Sequence, residues 1–309
     1  MTLDRMQPSL LPAAPDVPGD QVGRGRLSLR YEDVLQDGRV QLRAMTHAVG
    51  AALWRDALAR HPLAEWFGRS GVIPILSRLR VQGGGGPVSV RTVVDCEGRF
   101  DLARTVDERG EIRLRLDTWT ELVGARARTH GPPPDDAGAP VLLGRVHAEH
   151  VLTRPFAPAR ERKVAALPSG APSVAVRERA WTPPHALCAL PDDATAIDGS
   201  WAADPAPIVF GLGHTDSNQH VNSLVYPLLV EEAALRRFAE LGLPLDGYAS
   251  FLDLAFRKPC FAGDRARLLL RAFRAGPDLG VLAAVVPAEH AGEPGERALC
   301  YARLRVTAR

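Results

Sequence analysis

The spacing of apolar residues changes period along this chain, and it does so in the same order twice. A segment of alternating character at 26–34 predicts a strand. Residues 41–60 contain no proline, and Met45, Val49, Ala52, Leu53 and Ala57 recur at helical spacing. His61-Pro62 ends that helix or bends the chain. β-like runs follow at 72–81, 88–96, 100–106, 112–122 and 141–153. Four glycines at 83–86, Glu97-Gly98 and Arg109-Gly110 read as turns between them.

After a proline-rich stretch the order returns. Residues 208–210 predict a short strand and 222–241 a single helix, ended by Gly242 and Pro244. Residues 250–257, 265–274, 281–286 and 298–306 predict strands. The expected fold class is α+β, with two long central helices wrapped by a curved antiparallel sheet. The expected organisation is a Pro/Gly-rich N-terminal tail (1–25), a first domain (26–154), a Pro-rich surface linker with short strands near 174–179 (155–206), and a second domain (207–309). The helix entrances align without gaps: residues 30–40 lie against 211–221, which sets Asp33 against His214, Leu35 against Asp216, Asp37 against Asn218 and Arg39 against His220.

Composition narrows the function classes. With 46% hydrophobic and 24% charged residues, the 309-residue chain reads as soluble and globular. A net charge of +2 and no charged block argue against nucleic acid or an anionic membrane as partner. There is no signal-peptide pattern at the start and no apolar run of membrane-spanning length. Cys96, Cys188, Cys260 and Cys300 form no CxxC and no zinc-like cluster, so reduced thiols, a cytoplasmic location and no metal are expected. His147 and His150, three apart in a strand-like run, face opposite sides and do not form a metal site. The 83–86 glycines lack the Lys-Ser/Thr and helix of a phosphate loop.

The chemistry concentrates at 214–222, His-Thr-Asp-Ser-Asn-Gln-His-Val-Asn, just before the second helix. The first N–H groups of a helix lack internal partners and carry partial positive charge, so they can stabilise an oxyanion. A nearby carboxylate can activate water or attack directly, and Asp216 is the candidate. Asn218 would orient the carboxylate, the water or a carbonyl; His220 would transfer a proton or fix the loop. Asp and Asn in such a place also serve as helix caps, which is the competing role.

This stretch resembles the hotdog thioesterases, in particular acyl-ACP thioesterases of the plant and bacterial type. Their pattern, D-x-N-x-H-V-N-N-x-x-Y with a Glu six residues further, corresponds here to Asp216, Asn218, His220, Val221, Asn222, Tyr226 and Glu232; Ser223 replaces the second Asn. A second stretch, Phe256 to Asp264, is similar to Y-x-x-P-x-x-x-G-D of the wider family through Pro259, Gly263 and Asp264. Where plant-type members carry Glu-Cys, this chain has Pro259-Cys260, so a mechanism that needs that Glu has no residue for it. The resemblance implies a fused double hotdog whose first domain is degenerate, with Asp216, Asn218 and His220 catalytic and Val221, Asn222, Tyr226 and Glu232 on the substrate. Cys260 reads as a small buried residue, not a nucleophile. The expected partner is an acyl carrier protein or coenzyme A thioester, with no cofactor and one site per chain, the first half supplying scaffold. A monomeric pseudo-dimer or a homodimer of double hotdogs is expected. The activity implied is acyl-thioester hydrolysis, in a setting such as polyketide or fatty-acid-derived metabolite biosynthesis. Acyl transfer or decarboxylation, dehydration, and acyl binding without turnover stay open at this point.

Overall fold

A computed structural model describes residues 9–167 and 170–308. The part of the expected tail at 1–8 lies outside the described residues. The chain divides into two compact units, Met1–Thr182 and Pro183–Arg309.

In the first unit an antiparallel sheet has the order β1 (Val22–Ser28), β3 (Val93–Val106), β4 (Ile112–Ala125), β5 (Pro140–Thr153), β2 (Ile73–Gly83). A short β6 (Val176–Glu178) joins β3 in parallel. The first strand ends earlier than the 26–34 alternation predicts. The carboxylate of Asp33 accepts the Arg30 N–H at 2.9 Å, closing a 3-10 turn at Tyr31–Asp33 in place of strand. The runs at 88–96 and 100–106 belong to the single strand β3, which passes straight through Glu97-Gly98. Gly98 has a packing reason: a Cβ there would stand 2.8 Å from Leu53 Cγ, so the glycine lets the helical layer approach the sheet.

The stretch expected as one helix at 41–60 is helical but divided. It runs through α1 (Leu42–Met45), α2 (His47–Val49), a π-helical stretch Gly50–Ala57 and α3 (Leu58–Arg60). The break falls at His61, extended at φ −85°, ψ 137°, whose Nδ1 accepts the Leu63 N–H at 3.1 Å and caps α4 (Pro62–Ser70). Proline at the first turn suits this start, because its missing N–H is not needed there. Ala48, Ala52, Leu53 and Ala57 are fully buried, giving this run its sheet-facing stripe.

The opposite face of the β4–β5 pair carries charge. Arg115 reaches Glu149 at 2.7 Å and Asp117 at 2.8 Å, and Arg80 reaches Glu149 at 2.8 Å. Burial, only partly offset by Arg115, pushes the Asp117 carboxyl up to about 6. His150 is buried edge-on to Trp54, 5.4 Å between ring centroids, and desolvation pulls it down to about 4. The N-terminal segment crosses this unit: Trp119 Nε1 donates to the Pro12 carbonyl at 3.1 Å, and Gln82 Oε1 accepts the Leu10 N–H at 3.0 Å.

The second unit has one long helix, α5 (Val225–Glu240), with Tyr226, Val230, Ala233, Ala234 and Phe238 buried along one side. Gly242, at φ 66°, ends it in the left-handed conformation, and Leu243 N–H returns to the Phe238 carbonyl at 2.9 Å. Its sheet runs β10 (Tyr248–Phe256), β13 (Cys300–Thr307), β12 (Asp278–Pro287), β11 (Arg265–Ala275), all antiparallel. Three short strands, β7 (Ala194–Ala196), β8 (Ala202–Ala203) and β9 (Ile208–Val209), line the other edge of β11. Two arginines of α5 clamp the segment that carries them: Arg236 holds Asp204 at 2.7 and 2.8 Å, and Arg237 holds Asp198 at 2.6 and 3.2 Å. These are forked, largely buried pairs, the geometry in which arginine positions most firmly. Among the described residues no helix is long and apolar enough to cross a membrane.

Candidate active site

The loop 211–222 is built by its backbone. His214 N–H donates to the Gly211 carbonyl and Thr215 N–H to the Leu212 carbonyl, at 3.0 and 3.2 Å, forming a 3-10 turn. His214 Nδ1 accepts the Gly211 N–H at 3.1 Å. A bridge between Thr215 and Val221 then pinches off a tight turn, with Asp216 N–H on the His220 carbonyl (3.2 Å) and Gln219 N–H on the Asp216 carbonyl (2.9 Å). Gln219 pays for that turn. It sits at φ 66°, and among the described residues no other non-glycine has positive φ.

The Asp216 carboxylate is held at both oxygens by neutral donors. Oδ1 accepts the Asn218 backbone N–H at 2.8 Å, and Oδ2 accepts the Asn222 side-chain amide at 3.2 Å. Asn222 Oδ1 in turn accepts the Leu224 N–H at 2.8 Å. Asn222 therefore shapes the turn before α5, whose N-cap residue Leu224 makes no side-chain cap bond, and Asp216, six residues before Asn222, is left with carboxylate lone pairs to spare. The first three residues expected as helix form a turn for this reason. The backbone N–H groups of His220 and Ser223 have no partner among the described residues.

Asn218 is exposed, and its contribution to the hydrogen bonding is its main chain. His220 is partly buried, with Nδ1 at a long 3.4 Å from the Val221 carbonyl. Val221 is buried and donates its N–H to the Cys260 carbonyl at 2.7 Å. Tyr226 is buried between Phe210 and Phe256, at 6.2 and 5.3 Å between ring centroids, and forms the floor beneath the loop. Burial and a hydrogen bond with the Cys260 thiol push the Tyr226 hydroxyl far up its scale. The structure thus brings Asp216, Asn218, His220, Val221, Asn222 and Tyr226 together. It does not bring Glu232 to them. That residue is exposed, seven residues past the start of α5 and about 10 Å along its axis, with Arg236 at 3.9 Å.

Cys260 is 1% exposed, and desolvation raises its thiol. It anchors the loop through its carbonyl and supports Tyr226 through its sulfur. The stretch that carries it is stapled in turn: Asp264 accepts the Phe261 N–H at 2.8 Å, and Gly263, at φ 91°, donates to the Phe210 carbonyl at 2.7 Å. Sequence reasoning passed over Gln219 and the anchoring role of Cys260. The alignment held a signal for the former, because Gln219 occupies the place of Gly38.

The first unit repeats the same frame hydrogen bond by hydrogen bond. Val34 and Val40 form the bridge; Leu35 N–H donates to the Arg39 carbonyl (2.7 Å), Gly38 N–H to the Leu35 carbonyl (2.9 Å), and Gln41 N–H to the Asp33 carbonyl (2.9 Å), as Asn222 N–H does to His214 (2.8 Å). Gly38 has φ 85°. Its carboxylate, Asp37, is bound by Arg39 at 2.6 Å. Among the described residues no group of three or more His, Cys, Asp or Glu could hold a metal ion.

No family model and no curated protein matches the chain. Solved structures do match, over nearly the whole length. A Lactobacillus plantarum protein described as an oleoyl thioesterase superposes with a TM-score of 0.59 at 14% identity, covering 93% of this chain and 96% of that one. The 12:0-ACP thioesterase of Umbellularia californica gives 0.55 at 16%, covering 94% and 95%. An acyl-ACP thioesterase from Bacteroides thetaiotaomicron gives 0.55 at 12%, covering 93% and 98%. At these identities the likeness establishes the fold. The chain has the mixed α/β, antiparallel-sheet fold of these hotdog proteins.

Proposed function

We propose that the chain is a fused double hotdog that hydrolyses an acyl thioester, with its chemistry at the 214–222 loop of the second unit. The observation that carries this reading is the Asp216 carboxylate, held by Asn218 N–H and the Asn222 amide and in no ion pair among the described residues, on a loop that runs into α5. Held by two neutral donors, the carboxylate is fixed in place with lone pairs left to meet a water. Asp216 takes a proton from water as the water oxygen attacks the thioester carbonyl carbon. The carbonyl oxygen gains the electron pair, and the unpartnered N–H of Ser223 or His220 stabilises it. Collapse re-forms the carbonyl and expels the thiolate, which recovers from Asp216 the proton taken from water, giving a carboxylic acid and a thiol and returning Asp216 to its carboxylate. Val221 and Tyr226 hold the acyl side of the loop, and Asn222 orients both the carboxylate and the start of the helix. Glu232, exposed on α5, would meet the carrier and not the reacting carbonyl.

The full-length fold likeness to proteins named for acyl-ACP substrates supports acyl carrier protein as carrier, with coenzyme A as the alternative. Fatty-acid or polyketide-type acyl groups are the substrates to try first. Thiol release from a panel of acyl-ACP and acyl-CoA thioesters tests the reading. Free thiol and free acid in equal amounts are expected. Transfer of the acyl group to a second carrier without net thiol release, or formation of a 2-enoyl product, would replace it.

A further inference from the structure

The loop of the first unit has lost the catalytic residues but borders a cavity of about 460 Å³, lined among others by Tyr31, Leu35, Gln36, Asp37, Arg128 and His130. That volume suits a ligand of small-molecule size. Two rings stand at it in near-parallel orientation: Tyr31 and His130 lie 6.2 Å apart at an interplanar angle of 22°. A centroid separation of 6.2 Å is that of an offset-stacked pair, whose centroids lie about 4.5–7 Å apart, so the two rings form one aromatic platform at the cavity. Tyr31 is 68% exposed, so its ring is open to stacking by a further flat ring.

The charge at the cavity fits an anion beside that ring. Arg128 is exposed and forms no ion pair among the described residues. Asp37, the carboxylate among the residues lining the cavity, is paired with Arg39 at 2.6 Å. Thr129 Oγ1 accepts the Val90 N–H at 3.1 Å, which ties the segment after β4 that carries Arg128 and His130 to residue 90. Gln36 is exposed, with an amide able both to donate to and accept from a base edge. Leu35, where the second unit has Asp216, makes this part of the wall apolar.

We propose that this cavity is a binding site, without turnover, for a planar heteroaromatic base carrying phosphate, that is, a purine nucleotide. The base stacks on the exposed Tyr31 ring beside His130, and the phosphate meets Arg128. The same chemistry is offered by a free nucleotide and by the nucleotide end of coenzyme A. The inference does not depend on the hydrolase reading, because binding is measured without turnover.

Calorimetric titration with adenosine 3′,5′-bisphosphate, adenosine, inorganic phosphate and coenzyme A tests it. The bisphosphate should saturate at one equivalent, and adenosine or phosphate alone should each bind at least about tenfold more weakly, since each lacks one of two contacts worth that much. Tyr31→Ala and Arg128→Ala should each weaken the bisphosphate by about tenfold or more, with the circular-dichroism melt unchanged. Tyr31→Phe, which keeps the ring, should restore binding. Coenzyme A binding more tightly than the bisphosphate would assign the site to the carrier, and equal affinity to the nucleotide alone; both uphold the site. The proposal falls if no nucleotide saturates, if phosphate binds as well as the bisphosphate, or if both alanine variants bind as the wild type does.

Discussion

The two helix entrances, 30–41 and 211–222, share a backbone and differ in chemistry. Both close a 3-10 turn with the side chain of its third residue, both are pinched by a single bridge, and both need a left-handed residue at the same place. In the second unit the carboxylate stands at the first corner and is bound by amides. In the first it stands two residues later and is bound by a guanidinium. A guanidinium satisfies a carboxylate's charge as well as its lone pairs, whereas amide donors satisfy lone pairs alone. The frame is thus a scaffold that either half builds, and what differs between the halves is which donors meet the carboxylate.

The largest effect should come from exchanging the carboxylate itself. Asp216→Asn places an amide against the Asn222 amide and removes the proton acceptor; thiol release should fall by ~10²-fold or more, with little change in melting temperature. A loss of stability with activity retained would return Asp216 to a purely structural role. The left-handed position distinguishes the loops next. Gly38→Ala forces a side chain into positive φ and within 2.5 Å of Pro87 Cβ, which should cost about 2–4 kcal/mol in denaturant unfolding. An unchanged midpoint would show that the first loop is not packed as described.

Acid separates the units further. His150, pulled down to about 4 in the fold, contributes stability that is present above its unfolded value of about 6.5 and is lost as pH falls through 4. Asp117, pushed up to about 6, acts oppositely: its contribution grows as pH falls from 6 toward 4. Replacing His150 by Phe leaves the Asp117 gain alone, so the variant should gain on wild type by up to about 3 kcal/mol between pH 7 and 4. A pH-independent difference between the two proteins would remove His150 as the source. The smallest effect is the converse of the Gly38 change. Gln219→Gly relieves positive φ at a non-glycine and should stabilise by about 0.5–1 kcal/mol, a rise of a few degrees at most in the melting temperature; a fall would mean that the Gln219 side chain holds the loop in a way its backbone does not show.

Much of the second unit was legible in sequence, because its signals are local. The apolar stripe of α5 and the stop at Gly242 depend on near neighbours in the chain, and so does the gap-free register of the two loops. What escaped notice depended on distant contacts. Glu97-Gly98 reads as a turn until Leu53 is seen to occupy the space above it. The helical run at 41–60 has the right period, yet the structure divides it into α and π turns. At the loop, the grouping of Asp216, Asn218, His220 and Asn222 follows from spacing alone. The pair of hydrogen bonds made by the Asn222 side chain, to Asp216 on one side and to the Leu224 N–H on the other, does not, since nothing in the sequence says which Asx residue closes the turn before the helix. The family resemblance also put Glu232 with the group, whereas Glu232 stands exposed further along α5.

The central claim is that one of the two like-framed loops is chemically competent. Titration of the intact protein with a slowly turned-over acyl thioester or a non-hydrolysable analogue, read as equivalents bound at the reacting centre per chain, tests it most directly. One equivalent, abolished when Asp216, Asn218 and His220 are all changed to Ala, is the predicted result. Two equivalents, or thiol release that survives the triple change, would contradict it.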